Sequence, residues 1–111
     1  MTVTSATLKM SPESYGVLPC IQWDQTVRLD FTIQVSSTAR SEVKFDVESS
    51  AGLVRSGTYY GTPTQDGVAT GSESTVVKVG PGRPETVTFW LRVTKPTSKE
   101  SNRVTFHNYC A

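Results

Sequence analysis

The segment Thr26–Val35 reads TVRLDFTIQV. Its odd positions, Val27, Leu29, Phe31, Ile33 and Val35, are all apolar, and its even positions, Arg28, Asp30, Thr32 and Gln34, are all polar. A period of two sustained over this length puts one face of a β-strand in a core and the other in water, and no helical period fits it. The remaining apolar segments are read as elements that cover that face.

Two other segments alternate in the same way. Glu42–Glu48 sets Val43, Phe45 and Val47 against Lys44, Asp46 and Glu48, and reads as a hairpin partner across the polar turn Ser36–Arg40. Thr86–Val93 turns Val87, Phe89, Leu91 and Val93 inward and Thr88, Trp90 and Arg92 outward. Thr2–Met10 carries Ala6, Leu8 and Met10 on one parity as a first strand, which Ser11-Pro12-Glu13-Ser14 breaks because Pro12 has no N–H to give to a ladder. After Cys20, Ile21 and Trp23 share the inward parity, so Trp23 is expected in the core or at its edge. The lapse at Gln25 predicts a bulge or short turn near Asp24 and Gln25. Ser49–Gly52 turns the chain and Leu53–Arg55 forms a short strand. Gly57–Ser74, GTYYGTPTQDGVATGSES, reads as a long connection with room for one short strand, on its glycines, Pro63 and Asp66-Gly67. Thr75–Val79 is a strand stopped by Gly80-Pro81-Gly82-Arg83-Pro84, and a polar loop, Lys95–Asn102, leads to a last strand, Arg103–Cys110. About seven short strands with no helical period and no repeat predict an all-β antiparallel sandwich in two sheets, one domain over residues 1–111.

Composition narrows the function classes. Eleven basic against ten acidic residues leave a net charge of +1, with no block of like charge, which argues against a nucleic-acid or anionic-membrane surface. No apolar run is long enough for membrane insertion as a helix. The amino terminus, MTVTSATLKM, lacks the basic start and apolar middle of a signal peptide, so the chain either stays in the cytosol or has an export signal outside these residues. The two cysteines, Cys20 and Cys110, have no metal-ligand neighbours at useful spacing. They are either buried free thiols or a disulfide closing a loop of about 90 residues, worth on the order of 4 kcal/mol in the chain-entropy model. That gain favours the disulfide in so small a domain, and with it an oxidising compartment, secreted or at the cell surface.

Both ends of the chain resemble the immunoglobulin-like domains of secreted bacterial proteins. Ser11-Pro12-Glu13-Ser14-Tyr15 followed by Cys20 is similar to their S-P-x-x-Y then C opening, ahead of a strand like Leu29-Asp30-Phe31-Thr32-Ile33. Trp90-Leu91-Arg92-Val93-Thr94-Lys95-Pro96, then Ser101–Phe106 and Cys110, is similar to their close. The resemblance implies an immunoglobulin-like topology, pairing of Cys20 with Cys110 and no enzymatic activity. The chain departs from the family in having Pro19 before the first cysteine rather than a proline after it. The antibody-type bridge between central strands is absent, since Cys110 is at the far carboxyl end.

No catalytic or cofactor signature is present. His107, the single histidine, falls on the parity opposite to Val104 and Phe106, and no G-x-S-x-G elbow, phosphate loop, zinc spacing or calcium loop accompanies it. Asp24, Asp30, Glu42, Asp46 and Glu48 are read as cross-strand partners of Arg28, Lys44 and Arg92. The candidate binding patch is Trp90 with Tyr59, Tyr60 and Arg92, because aromatic and arginine side chains dominate contact energetics. Against it stands a bland reading, in which Trp90 packs on neighbouring polar stems. The chain is therefore expected to be a non-catalytic extracytoplasmic binding or structural module, with a protein or carbohydrate partner and a monomeric or weakly dimeric state. A carbohydrate-binding module and a small hydrolase built around His107 are the alternatives.

Overall fold

A computed structural model describes residues 2–36, 41–61 and 67–111, with backbone alone at 41, 53, 55, 56 and 58–61. Among the described residues the strands are β1 (Val3–Ser11), β2 (Ser14–Tyr15), β3 (Trp23–Val35), β4 (Ser41–Ser49), β5 (Gly52–Gly61), β6 (Val68–Val79), β7 (Thr86–Lys95), β8 (Lys99–Glu100) and β9 (Val104–Asn108). One sheet has the order β1-β3-β6. The other has the order β2-β9-β7-β4-β5, with β8 adding to β7 beyond β9. Every pairing is antiparallel except that of β2 with β9. With the two-residue strands β2 and β8 set aside, the long strands are the expected seven, in an immunoglobulin-like order.

The predicted inward parities meet in one core. Val27, Leu29 and Ile33 from β3, Val43 and Val47 from β4, Leu91 and Val93 from β7 and Phe106 from β9 are fully buried there. Val3 joins Ala6, Leu8 and Met10 on the inner face of β1 because a bulge between Val3 and Ser5 resets the parity.

At the centre, the rings of Phe31 and Phe45 meet across the two sheets, 4.6 Å apart and tilted by 53°. Each ring lies over a glycine directly opposite it on the neighbouring strand, Phe31 over Gly71 and Phe45 over Gly57. This corrects the reading of Gly57–Ser74 as a long connection: β5 runs to Gly61 and β6 starts at Val68. The glycines that looked like turn residues are strand positions kept bare so that an aromatic ring can cover the backbone. Pro63 and Asp66, and the residues 37–40 of the first expected turn, lie outside the described residues. A Cβ on Gly71 would come 2.5 Å from Phe31 Cζ. Phe31 is held in turn by Phe45, so Gly71→Ala is expected to cost about 2 kcal/mol by overpacking, measured by chemical denaturation.

Other expectations are corrected too. There is no bulge at Asp24 or Gln25: β3 pairs with β6 in unbroken register from Trp23↔Val79 to Gln34↔Val68. The short strand at Leu53–Arg55 is part of the longer β5, and the loop Lys95–Asn102 contains β8. Trp23 is not core but 55% exposed. It begins β3 at the end of the sandwich, where inward parity no longer guarantees a covering layer.

Candidate functional site

The expected patch on β7 satisfies itself. Trp90 is half-buried, its indole N–H donates to Glu48 Oε2 at 2.8 Å, and the Arg103 guanidinium sits 4.1 Å from the ring centroid. Arg92 reaches Glu48 at 3.6 Å and Glu100 at 3.8 Å, and Arg103 shares Glu100 at 3.8 Å. The indole therefore has its polar atom paired and one face covered by a cation. Register separates the tyrosines from it. Glu48 lies opposite Trp90 on one side and Leu53 on the other, whereas Tyr59 and Tyr60 pair with Val43 and Glu42. That separation is about 20 Å along the strands at the usual rise. The side chains of Tyr59 and Tyr60 lie outside the described residues.

A different surface stands out at the end of the sandwich where the chain is closed by sulfur. Cys20 and Cys110 form a disulfide, with Cα atoms 5.5 Å apart, and Cys110 is buried. The segment from Tyr15 to Trp23 crosses this end. Backbone bonds from His107 N–H to Glu13 O (3.0 Å) and from Tyr109 N–H to Tyr15 O (2.8 Å) hold its start. Gly80, at φ +104°, admits its close approach, since a Cβ there would collide with the carbonyl oxygen of Ile21.

Asn108, only 4% exposed, ties these pieces together. Its Oδ1 accepts from Gly80 N–H and Cys110 N–H, both at 3.1 Å, and its Nδ2 donates to Gly80 O at 3.1 Å and Pro84 O at 3.2 Å.

Among the described residues, the exposed large apolar side chains are Val17, Leu18, Ile21, Trp23, Val76 and Tyr109, and all but Val76 sit on this end. Leu18 is 84% exposed. Beside them, Gln22, Trp23, Asp24 and Arg83 line an open cavity of about 330 Å³. Arg83 Nε is buried without an acceptor, and its guanidinium makes no ion pair among the described residues. Sequence reasoning passed over Val17 and Leu18 because they break the alternation and sit beside Pro19, and it turned Ile21 inward with Trp23, whereas Ile21 is exposed. The available signal was an uncharged, mostly aliphatic run flanking a cysteine.

His107 is exposed, stacks on Tyr109 with centroids 5.8 Å apart, and lines a shallow cavity of about 260 Å³ with Glu85, Thr86 and Asn108. Among the described residues no side chain hydrogen-bonds to its ring, and no group of three or more His, Cys, Asp or Glu could hold a metal ion.

No family model, curated protein or solved structure matches the chain.

The two tryptophans thus differ in environment, and fluorescence can separate them. Trp90→Phe, which leaves Trp23, is expected to be quenched by acrylamide nearly as readily as free indole, and Trp23→Phe, which leaves Trp90, at least about threefold less. Equal quenching of the two variants would contradict the assignment.

Proposed function

We propose that the chain is a disulfide-closed extracytoplasmic module that works by contact with a partner rather than by catalysis, and that its contact surface is the apolar end around Cys20–Cys110. The observation that carries this reading is the gathering of Val17, Leu18, Ile21, Trp23 and Tyr109, each more than half exposed, at one end of the molecule. Large apolar side chains are common singly on surfaces, but a cluster of them marks an interaction site. The disulfide agrees with an oxidising compartment and holds this end rigid, which lowers the ordering cost of binding. The likeness of both chain ends to secreted immunoglobulin-like domains points the same way.

The test is site-specific photocrosslinking in the native extract, from a photoreactive residue at Leu18 and, as control, at Lys9 on the polar face of β1. A discrete product from position 18 and none from position 9 is expected. Equal or no crosslinking from both would count against the reading.

One observation favours a carbohydrate partner as a second reading: exposed Trp23 shares its cavity with Asp24 and Arg83, an aromatic platform beside hydroxyl-binding groups. Quenching of Trp23 emission by a panel of polysaccharides, lost in Trp23→Phe, would support it. Unchanged emission across the panel would rule it out.

A further inference from the structure

The two outer edges of the β1-β3-β6 sheet are treated differently. On β1 the free backbone is closed by side chains at Val3 and Leu8. Asn102 accepts from Leu8 N–H at 2.8 Å and donates to Leu8 O at 2.9 Å, and Thr97 Oγ1 accepts from Val3 N–H at 2.8 Å. Among the described residues, the β6 edge from Thr70 to Lys78 has no such cover. Val35 N–H donates to Gly67 O at 2.8 Å, so Val35 and Gly67 are a hydrogen-bonded pair. Bonded and non-bonded pairs alternate along an antiparallel ladder. The unbroken register then turns the odd amides of β6 toward β3 and those of Thr70, Ser72, Ser74, Val76 and Lys78 toward the open edge. All of these even residues are exposed, and none of their backbone groups has a partner among the described residues.

The reason is topological. In constant-type immunoglobulin domains a fourth strand lies on this edge. Here β5, the strand that precedes β6, pairs instead with β4 in the opposite sheet. The place left open exposes an apolar groove of about 310 Å³ between the sheets, lined by Val54, Val77, Pro84, Val87 and Phe89. The devices that usually blunt an edge are sparse: β6 has no proline and no bulge, and its one lysine, Lys78, stands near its end.

We infer that β6 receives an extended segment of a partner chain, whose backbone pairs with Thr70–Lys78 and whose apolar side chains, at alternate positions, enter the groove. An extended backbone is the ligand that matches a row of unpaired amides in both donors and acceptors. Strand pairing also dictates its side-chain pattern. Residues of the added strand opposite Thr75 and Val77 point between the sheets, toward Val87 and Phe89, and those opposite Ser74 and Val76 point to water. A second copy of this chain fits less well. The antiparallel self-pairing that uses the whole edge is centred on Ser74, and it would set Gly71 opposite Val77 and Glu73 opposite Thr75, offering the groove a bare backbone and a carboxylate. This surface is separate from the disulfide-closed end.

The test is amide hydrogen exchange on the intact oxidised chain. The strand probe is a peptide of about nine residues alternating valine with threonine, with lysine at both ends. In the free protein the amides of Thr70, Ser72, Ser74, Val76 and Lys78 should exchange much faster than those of Ala69, Thr75 and Val77. Probe at about 1 mM, if bound with a Kd of about 0.1 mM, protects the first set about tenfold. Ser74→Pro should abolish that protection, because it removes an edge donor and no rung of the β3–β6 ladder. Leu18→Ser should leave it intact, which separates this site from the disulfide end. If Ser74→Pro does not fold, the unmodified protein with the probe decides alone. No protection by the probe, equal protection by a probe with glycine in place of valine, or protection that grows with protein concentration in the absence of probe would each overturn the inference, the last by making a second copy the occupant.

Discussion

Replacing Cys20 and Cys110 together by serine is expected to lower the free energy of unfolding by about 4 kcal/mol and Tm by about 15–20 °C. The bond spans a sequence separation of 90 residues, so it acts mainly on the unfolded chain, whose ends it keeps together. In a domain whose whole stability is about 5–15 kcal/mol, this single link supplies a large share. The mechanism has a signature besides the loss itself. A cross-linked unfolded chain is more compact and exposes less surface, so the denaturant m-value should rise in the serine variant. Guanidinium unfolding of both forms measures the two quantities together. An unchanged midpoint would show that the link contributes nothing, and an unchanged m-value would place its effect in the folded state.

Asn108→Ala should be nearly as damaging, at about 3–5 kcal/mol. The side chain makes four hydrogen bonds to backbone at a site only 4% exposed. Truncation leaves Gly80 N–H, Cys110 N–H, Gly80 O and Pro84 O without their partner, and each buried unsatisfied group costs about 1–3 kcal/mol before water or relaxation recovers part of it. Asn102 provides the comparison. It also bonds backbone on both sides of its amide, to Leu8 N–H and O, but it is exposed, so water replaces it in Asn102→Ala and the loss should be about 1 kcal/mol. Equal losses for the two variants, by chemical denaturation, would mean that burial of the Asn108 hub is not what matters.

The candidate surfaces were legible in the sequence to very different degrees. Trp90 and Arg92 were visible as outward residues of a clean strand, and Glu48 as a charge partner of Arg92, but not that Glu48 would also take the indole N–H or that Glu100 and Arg103 would join them. Those partners come from other segments of the chain, and a strand's own pattern carries no information about its neighbour's register. Ile21 and Trp23 were hidden for the opposite reason. Parity says which face a side chain points to, and only the extent of the facing layer says whether that face is covered.

From its own residues the chain fixed the regularly alternating strands and their dry faces, Val27–Val35, Val43–Val47 and Val87–Val93, because the alternation of side chains along an extended backbone is a local property. The pairing of Cys20 with Cys110 was also within reach, since the entropy of closing so long a loop depends on separation alone. The tertiary structure decided the rest. Gly57 and Gly71 became strand positions under aromatic rings, β5 joined the sheet opposite β6, and the β6 edge from Thr70 to Lys78 was left unpaired among the described residues. Each of these depends on which segments become neighbours, and neighbours are chosen by the packing of the whole core.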